Sequence, residues 1–230
     1  MKNIFKTLTL FLAIVLLSGC HKITSEGVTK ITFYPSITIL GEELVVIQQG
    51  TTYSDAGCIV MENGVDVTDD VKTTSNVNTS AVGMYSVVYS ATNLDGFSKS
   101  AARDVYVVNS SSFATVYWGE SQYGAQHYYG APIMITQRSD GNYLIDDLGG
   151  GLYFWGRYPG YEPTYDFHLE AILSLSADNT ISLVAQGSWY WTTRYDMEFV
   201  SGDYDPDTQT VWLELSFDGD PFIVTLTGVQ

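Results

Sequence analysis

Two aromatic stretches hold the side chains best suited to recognising a ligand. Residues 187–195 read "GSWYWTTRY" and residues 154–165 read "FWGRYPGYEPTY". Sugars offer C–H faces that stack on rings, and hydroxyls that bond to carboxylates and amides, so rings beside an acid suit a glycan. Trp155, Tyr158, Tyr161, Trp189 and Trp191, with Asp146 or Asp147, form that candidate set. If a strand over 180–187 continues, Ile181, Leu183, Ala185, Gly187, Trp189 and Trp191 share one face, and Tyr190 and Arg194 the other. On that phase the tryptophans either plug a core or line the mouth of a barrel. Gly187 can reset the phase, because strand glycines often mark a bulge or bend. Gly and Pro in "GRYPGYEP" hold that stretch off regular strand, where recognition residues often sit.

Chemistry beyond binding is harder to place. His21, His127 and His168 have no metal-ligand spacing, and "HExxH" is missing. The sequence has no G-x-S-x-G for a serine nucleophile and no P-loop, and "LGGGL" at 148–152 reads as a bulge or tight turn. A glycosidase needs two carboxylates about 5–10 Å apart. Glu120, Glu162, Asp166, Glu170 and Glu198 offer so many pairs that none is singled out. Asp66, Asp69 and Asp70 lack a closing bidentate carboxylate and read as a solvated loop. Asp203, Asp205 and Asp207 read as a hairpin turn. No catalytic residue, metal site or cofactor is assigned.

The elements around these residues are strands. The chain has 230 residues with few helix signals, abundant Val, Ile, Thr, Tyr and Trp, and frequent turn pairs. The fold expected is all-β, an immunoglobulin-like β-sandwich followed by an antiparallel, lipocalin-like β-barrel or barrel-like sandwich. Residues 1–19 read as a signal peptide: "MKNIFK" is basic and "LTLFLAIVLL" is apolar but too short to span a membrane. "LSGC" at 17–20 then resembles a bacterial lipobox. That resemblance implies a diacylglycerol on Cys20 and an acylated amine, hence a membrane partner and an outer-membrane, cell-envelope address. His21 and Lys22 leave surface or periplasmic display open. Loss of Lys2 and Lys6 with the signal takes the net charge from −16 to −18, which opposes nucleic acid. Cys58 is then the one remaining thiol, read as a small buried residue, so stability rests on core burial.

Residues 20–30 read as a polar tether, 31–108 as the sandwich, 109–113 as a Ser-rich linker and 114–230 as the barrel. In 84–91, Tyr85, Val87, Tyr89 and Ala91 alternate with serines, and "NG" and "DG" mark hairpins. The order "GTTYSDAGCIV", "NGVDVTDDV", "NVNTSAVGMYSVVYSATNLDGFSKSAARDVYVV" resembles a bacterial immunoglobulin-like surface domain. It departs at Cys58, where a small residue is usual, and at Phe97, where Asn is common. The resemblance implies a seven-stranded spacer or adhesive module, with no catalytic residue to carry over.

Beyond 113, strands are expected at 114–118, 131–138, 142–147, 151–155, 167–176, 180–187, 195–200, 210–217 and 222–227, joined by tight hairpins. Phe167, Leu169, Ala171, Leu173 and Leu175 share one face, as do Val211, Leu213, Leu215 and Phe217. This arrangement and "GNYLIDDLGGGLYFWG" resemble lipocalin-like domains at the C-terminus of lipoproteins from starch-utilisation-type systems, implying an envelope binding or accessory role. The leading expectation is a non-catalytic glycan binder. Its rivals are a structural or adhesive component that binds protein partners in an outer-membrane assembly, and a glycoside hydrolase.

Overall fold

Strand periodicity in the sequence is realised as two β domains joined end to end. The computed structural model describes residues 31–161, 164–190 and 194–230. Residues 31–33 carry no regular structure. Among the described residues no helix is long and apolar enough to cross a membrane.

Seven strands build the immunoglobulin-like domain: β1 Ser36–Ile39, β2 Leu44–Gln48, β3 Cys58–Glu62, β4 Val65–Asp66, β5 Lys72–Ser75, β6 Gly83–Thr92 and β7 Ser98–Val108. They form one sheet in the order β1-β3-β4 and a second in the order β2-β7-β6-β5, with β2 parallel to β7. Val60, Val87, Tyr89, Ala91 and Val105 fill the space between them, so the alternation read in 84–91 does mark an inner face. Cys58 is buried there, and burial pushes its thiol up, away from thiolate reactivity.

The motif residues of this domain converge on one ion pair made by a buried arginine. Arg103 on β7 is 1% exposed and its Nη1 meets Asp55 Oδ1. Asp55 also accepts from Tyr89 Oη at 2.5 Å, Tyr53 Oη at 2.8 Å and the Gly57 N–H at 2.9 Å. The guanidinium further donates to the carbonyls of Glu42 and Leu40. Burial alone would raise the Asp55 carboxyl. The three hydrogen bonds and the Arg103 charge together hold it below its usual range. The recurring Tyr, Asp, Gly and Arg thus tie the 53–57 loop and the Leu40–Glu42 turn to the sheet.

The second domain is an eight-stranded antiparallel sheet that almost closes. Its strands are β8 Val116–Tyr123, β9 Gln126–Gln137, β10 Tyr143–Ile145, β11 Ala171–Leu175, β12 Ile181–Gln186, β15 Glu198–Asp205, β16 Thr210–Phe217 and β17 Asp220–Gly228. A small hairpin, β13 Trp189–Tyr190 with β14 Arg194–Tyr195, is inserted between β12 and β15. The order is β12-β11-β10-β9-β8-β17-β16-β15, an up-and-down meander in which the last strand zips onto the first. Phe167, Leu169, Ala171, Leu173, Val211, Leu213 and Leu215 all point into the core, as their alternation requires.

Three expected segments differ. Residues 151–155, read as a strand, begin a π-helix over Leu152–Arg157. "YGAQHYYGAP", read as a loop, is mostly the β8–β9 hairpin, and His127 lies on β9. The phase over 180–189 breaks not at Gly187 but at Val184, the extra residue where pairing jumps from Ile172↔Ala185 to Leu173↔Leu183.

Composition made 109–113 look like a joint, but it is firmly held. Phe113 is buried in the barrel core and Gln209 Nε2 donates to the Asn109 and Ser112 carbonyls at 3.0 and 3.2 Å. Tyr106, Val108, Val116 and Val229 form an apolar cluster across the domain boundary, with Val46, Met84 and Trp118 against it.

Arg103 is buried, so removing its guanidinium takes a shared donor from Asp55 and from the Leu40 and Glu42 carbonyls. Arg103→Met is expected to cost about 1–3 kcal/mol in urea unfolding, against about 0.5 kcal/mol or less for the exposed Lys99→Met. A loss for Arg103→Met as small as the control would show that the cluster does not hold the sandwich.

Candidate functional site

One buried carboxylate shapes the aromatic end of the barrel. Asp147 is 1% exposed. Its Oδ1 accepts the Gly149 N–H at 2.9 Å and the Leu169 N–H at 3.2 Å; its Oδ2 accepts the Gly151 N–H at 2.9 Å. The side chain therefore ties the 148–151 loop to the segment leading into β11. The chain must pass very close to β9 here: a Cβ on Gly151 would lie 2.1 Å from the Ala131 Cβ, and its φ is +90°. Only glycine combines that φ with that approach.

The π-helix follows directly. Gly156 and Tyr158 N–H groups reach back five residues, to Gly151 O at 3.2 Å and Tyr153 O at 2.8 Å. Gly156 lies against the Tyr128 ring, where a Cβ would come within 2.7 Å. Side chains from this turn are thereby held against the β8–β9 hairpin. Trp155 (40% exposed) meets Phe154, whose ring stacks on His168 at 3.6 Å. Tyr158 stacks on Phe167 at 4.7 Å, and Tyr161 (52% exposed) meets both. Tyr165, also partly exposed, packs near Phe167.

Of the residues expected to bind, Trp155, Tyr158 and Tyr161 therefore lie on this end, in two adjoining ring groups. Trp189 lies beneath them and is fully buried. Its indole N–H donates to Phe167 O at 2.9 Å and its ring meets Tyr153 edge-on at 4.8 Å. It supports the Phe167 platform from inside and offers no face to a ligand, which follows the core alternative for this residue. Trp191 and Glu162 lie outside the described residues, as does Cys20. Asp146 is mostly buried and accepts the Met134 N–H at 2.9 Å. Asp147 is occupied by backbone on both oxygens. Neither is aimed at a ligand beside the rings.

Burial pushes both carboxyls up, that of Asp146 to about 6, against the pull of their N–H donors and of the nearby His168. A raised carboxyl in a cleft can mark a general acid. Here the raised groups carry the backbone instead. Asp166 bonds its neighbour His168 at 2.8 Å, and Glu120 bonds His127 at 2.8 Å. Asp66 and Asp205 close local turns, onto Thr68 N–H and Asp207 N–H.

A cavity of 290 Å³ lies between the π-helix and the β8–β9 hairpin, lined by Gln126, His127, Tyr128, Gly156 and Arg157. Arg157 sits over the Tyr158 ring at 5.6 Å. Sequence reasoning missed Gln126, His127 and Arg157. The signal available was an arginine inside an aromatic run, but only the hairpin places it opposite an amide and an imidazole. A larger opening of 620 Å³ exists between β12 and β15, with no tryptophan or tyrosine in its lining.

Comparison with known proteins agrees with this architecture. A family of bacterial surface proteins with an Ig-like domain matches residues 37–107. The BT2262-like C-terminal domain family matches residues 74–228. The lipoprotein BT2262 from Bacteroides thetaiotaomicron is similar in structure at a TM-score of 0.62 and 27% identity, over 84% of this chain and 100% of that one. Two Clostridium perfringens ZmpB structures align at 15% identity. One holds the catalytic domain with its CBM51 domains (TM-score 0.29, 87% of this chain and 22% of that one), the other CBM51-2 with GlcNAc and the INT domains (TM-score 0.27, 85% and 44%). At those scores neither bears on fold or ligand. No curated protein matches the chain.

The raised Asp146 carboxyl has a pH signature. Its folded value lies above 3.8, so between pH about 4 and about 6 the folded state holds more protons than the unfolded one, and stability falls as pH rises through that window. Asp146→Asn keeps an acceptor for Met134 N–H and removes the titration. Its melting temperature relative to wild type is expected to rise as pH goes from about 5 to about 7. A pH-independent difference would contradict the buried placement.

Proposed function

This chain belongs to the family of the BT2262-like C-terminal domain, and on that premise we propose that it is a lipid-anchored envelope protein that binds glycan through that domain. The observation that carries the glycan reading is the ring-lined end of the barrel. Trp155, Tyr158 and Tyr161 flank Gly156 and Arg157 along the chain, and those two residues line a 290 Å³ cavity with Gln126, His127 and Tyr128, whose wall supplies an amide, an imidazole and a guanidinium. A pyranose matches that combination: its C–H face stacks on a ring, while its hydroxyls take Gln126, His127 and Arg157. Because Tyr158 and Tyr161 pack on Phe167 and Trp155 packs on Phe154, little side-chain freedom is lost on binding.

The anchor reading rests on "LSGC" and the acyl chains it implies on Cys20, and is supported by likeness to a protein described as a lipoprotein. Residues 20–30 act as the tether and the Ig-like domain as the spacer. The apolar joint between the domains holds the ring-lined end at a fixed angle to that spacer. The net charge of −16 keeps nucleic acid and anionic lipid surfaces away from it.

A glycan array probed with the full chain is expected to yield binders, weakened about tenfold or more by Trp155→Ala or Tyr161→Ala, about 1.4 kcal/mol. An array without binders, or binders indifferent to both changes, would overturn the ligand class. For the anchor, mass spectrometry of membrane-extracted protein is expected to find an acylated N-terminal Cys20. An unmodified Cys20 would refute it.

A further inference from the structure

The barrel stays open along one seam. β12 and β15 are its two edges. At one end they meet through the Thr180–Asp203 bridge, and Tyr204 N–H donates to Asn179 O at 3.0 Å. Further along they part around the 620 Å³ opening, lined by Leu183, Gln186, Met197, Phe199 and Val200 among others. Each lip carries a bulge, at Val184 in β12 and at Val200 in β15 between Phe199 and Ser201. Both valines are half-exposed, at 52% and 54%. A bulge bends its strand, so two facing bulges splay edges that would otherwise pair.

An amide spans the wide end. Gln186 Nε2 donates to Met197 O at 2.5 Å, and Gln186 Oε1 accepts the Met197 N–H at 3.4 Å. This is the double exchange of an antiparallel residue pair, made by a side-chain amide instead of a peptide group. Beyond the Thr180–Asp203 bridge, no strand ladder among the described residues pairs Ser182–Gln186 with Glu198–Ser201. The two edges thus present free peptide donors and acceptors, which template an added strand.

We propose that the seam binds an extended, basic peptide segment of another protein by strand addition, displacing the Gln186 amide. Four residues on each lip, 182–185 and 198–201, match an insert of about 13 Å at about 3.3 Å per residue. Val184 and Val200 offer apolar contact to its side chains. Charge sets the partner: Glu198 and Asp203 line the opening of a chain with net charge −16. A second copy would bring the same acids together, whereas Lys or Arg in the insert complements them.

The test is hydrogen exchange of the full chain in detergent, with and without a capped octapeptide alternating Lys and Val. Saturating peptide is expected to slow exchange at 182–185 and 198–201 about tenfold or more. The same peptide N-methylated at alternate residues is expected to leave these amides unchanged, and a Glu–Val version to bind at least about tenfold more weakly. Gln186→Ala, which clears the surrogate amide, is expected to bind the Lys–Val peptide at least as well as wild type. No slowing with the Lys–Val peptide, equal slowing with its N-methylated form, or protection that grows with protein concentration alone would overturn the proposal.

Discussion

Three backbone N–H groups converge on the carboxylate of Asp147, and the shape of the aromatic end depends on that convergence. A loop of three consecutive glycines is entropically costly to order and contributes no side chains to packing. An acceptor inside the loop removes that difficulty, because each buried N–H must be satisfied somewhere. The Asp147 oxygens join Gly149, Gly151 and Leu169, so one side chain fixes both the start of the π-helix and the approach to β11. The same burial raises the Asp147 carboxyl and that of Asp146 beside it. Local order is thus gained against an electrostatic cost.

Much of this architecture is legible in residue order. Period-two alternation over 167–175 and 211–217 places Leu169, Leu173, Leu213 and Leu215 in the core correctly, because a half-wet sheet leaves few other phases. The Tyr, Asp, Gly and Arg pattern of the Ig-like half is legible too, since those residues meet at one point. The π-helix was not legible. Leu152, Tyr153, Phe154 and Trp155 have high strand propensity, and only the long-range bond from Asp147 to Leu169 and the glycine contacts with β9 bend them into a helical turn. The tryptophan pair in "WYW" was ambiguous for a related reason. The bulge at Val184 reset the phase, and the hairpin after Gly187 then turned Trp189 inward. A one-residue slip decides such a question, and single-sequence periodicity cannot see it. The cavity beside Arg157 belongs to tertiary structure alone.

The two domains divide the physical tasks. The Ig-like half is secured by the ion pair of a buried arginine; the barrel half carries exposed rings above a buried indole. The boundary between them looks flexible by composition, yet Phe113, Gln209 and the Tyr106–Val116–Val229 cluster lock it. On the proposed function, a stiff joint suits a spacer that presents a binding face away from a surface. Within the barrel, insertion of the β13–β14 hairpin between two consecutive strands leaves the seam, so the same local excursion both buries Trp189 and opens the sheet edge.

The central claim is that the ring platform is preformed on the Asp147 carboxylate. Amide hydrogen exchange of the free protein by NMR measures it directly, at Gly149, Gly151 and Leu169. All three amides should be protected to the level of the barrel strands and should lose that protection together in Asp147→Ala. Exchange of Gly149 and Gly151 at the rate of an open loop in the wild-type protein would contradict the account.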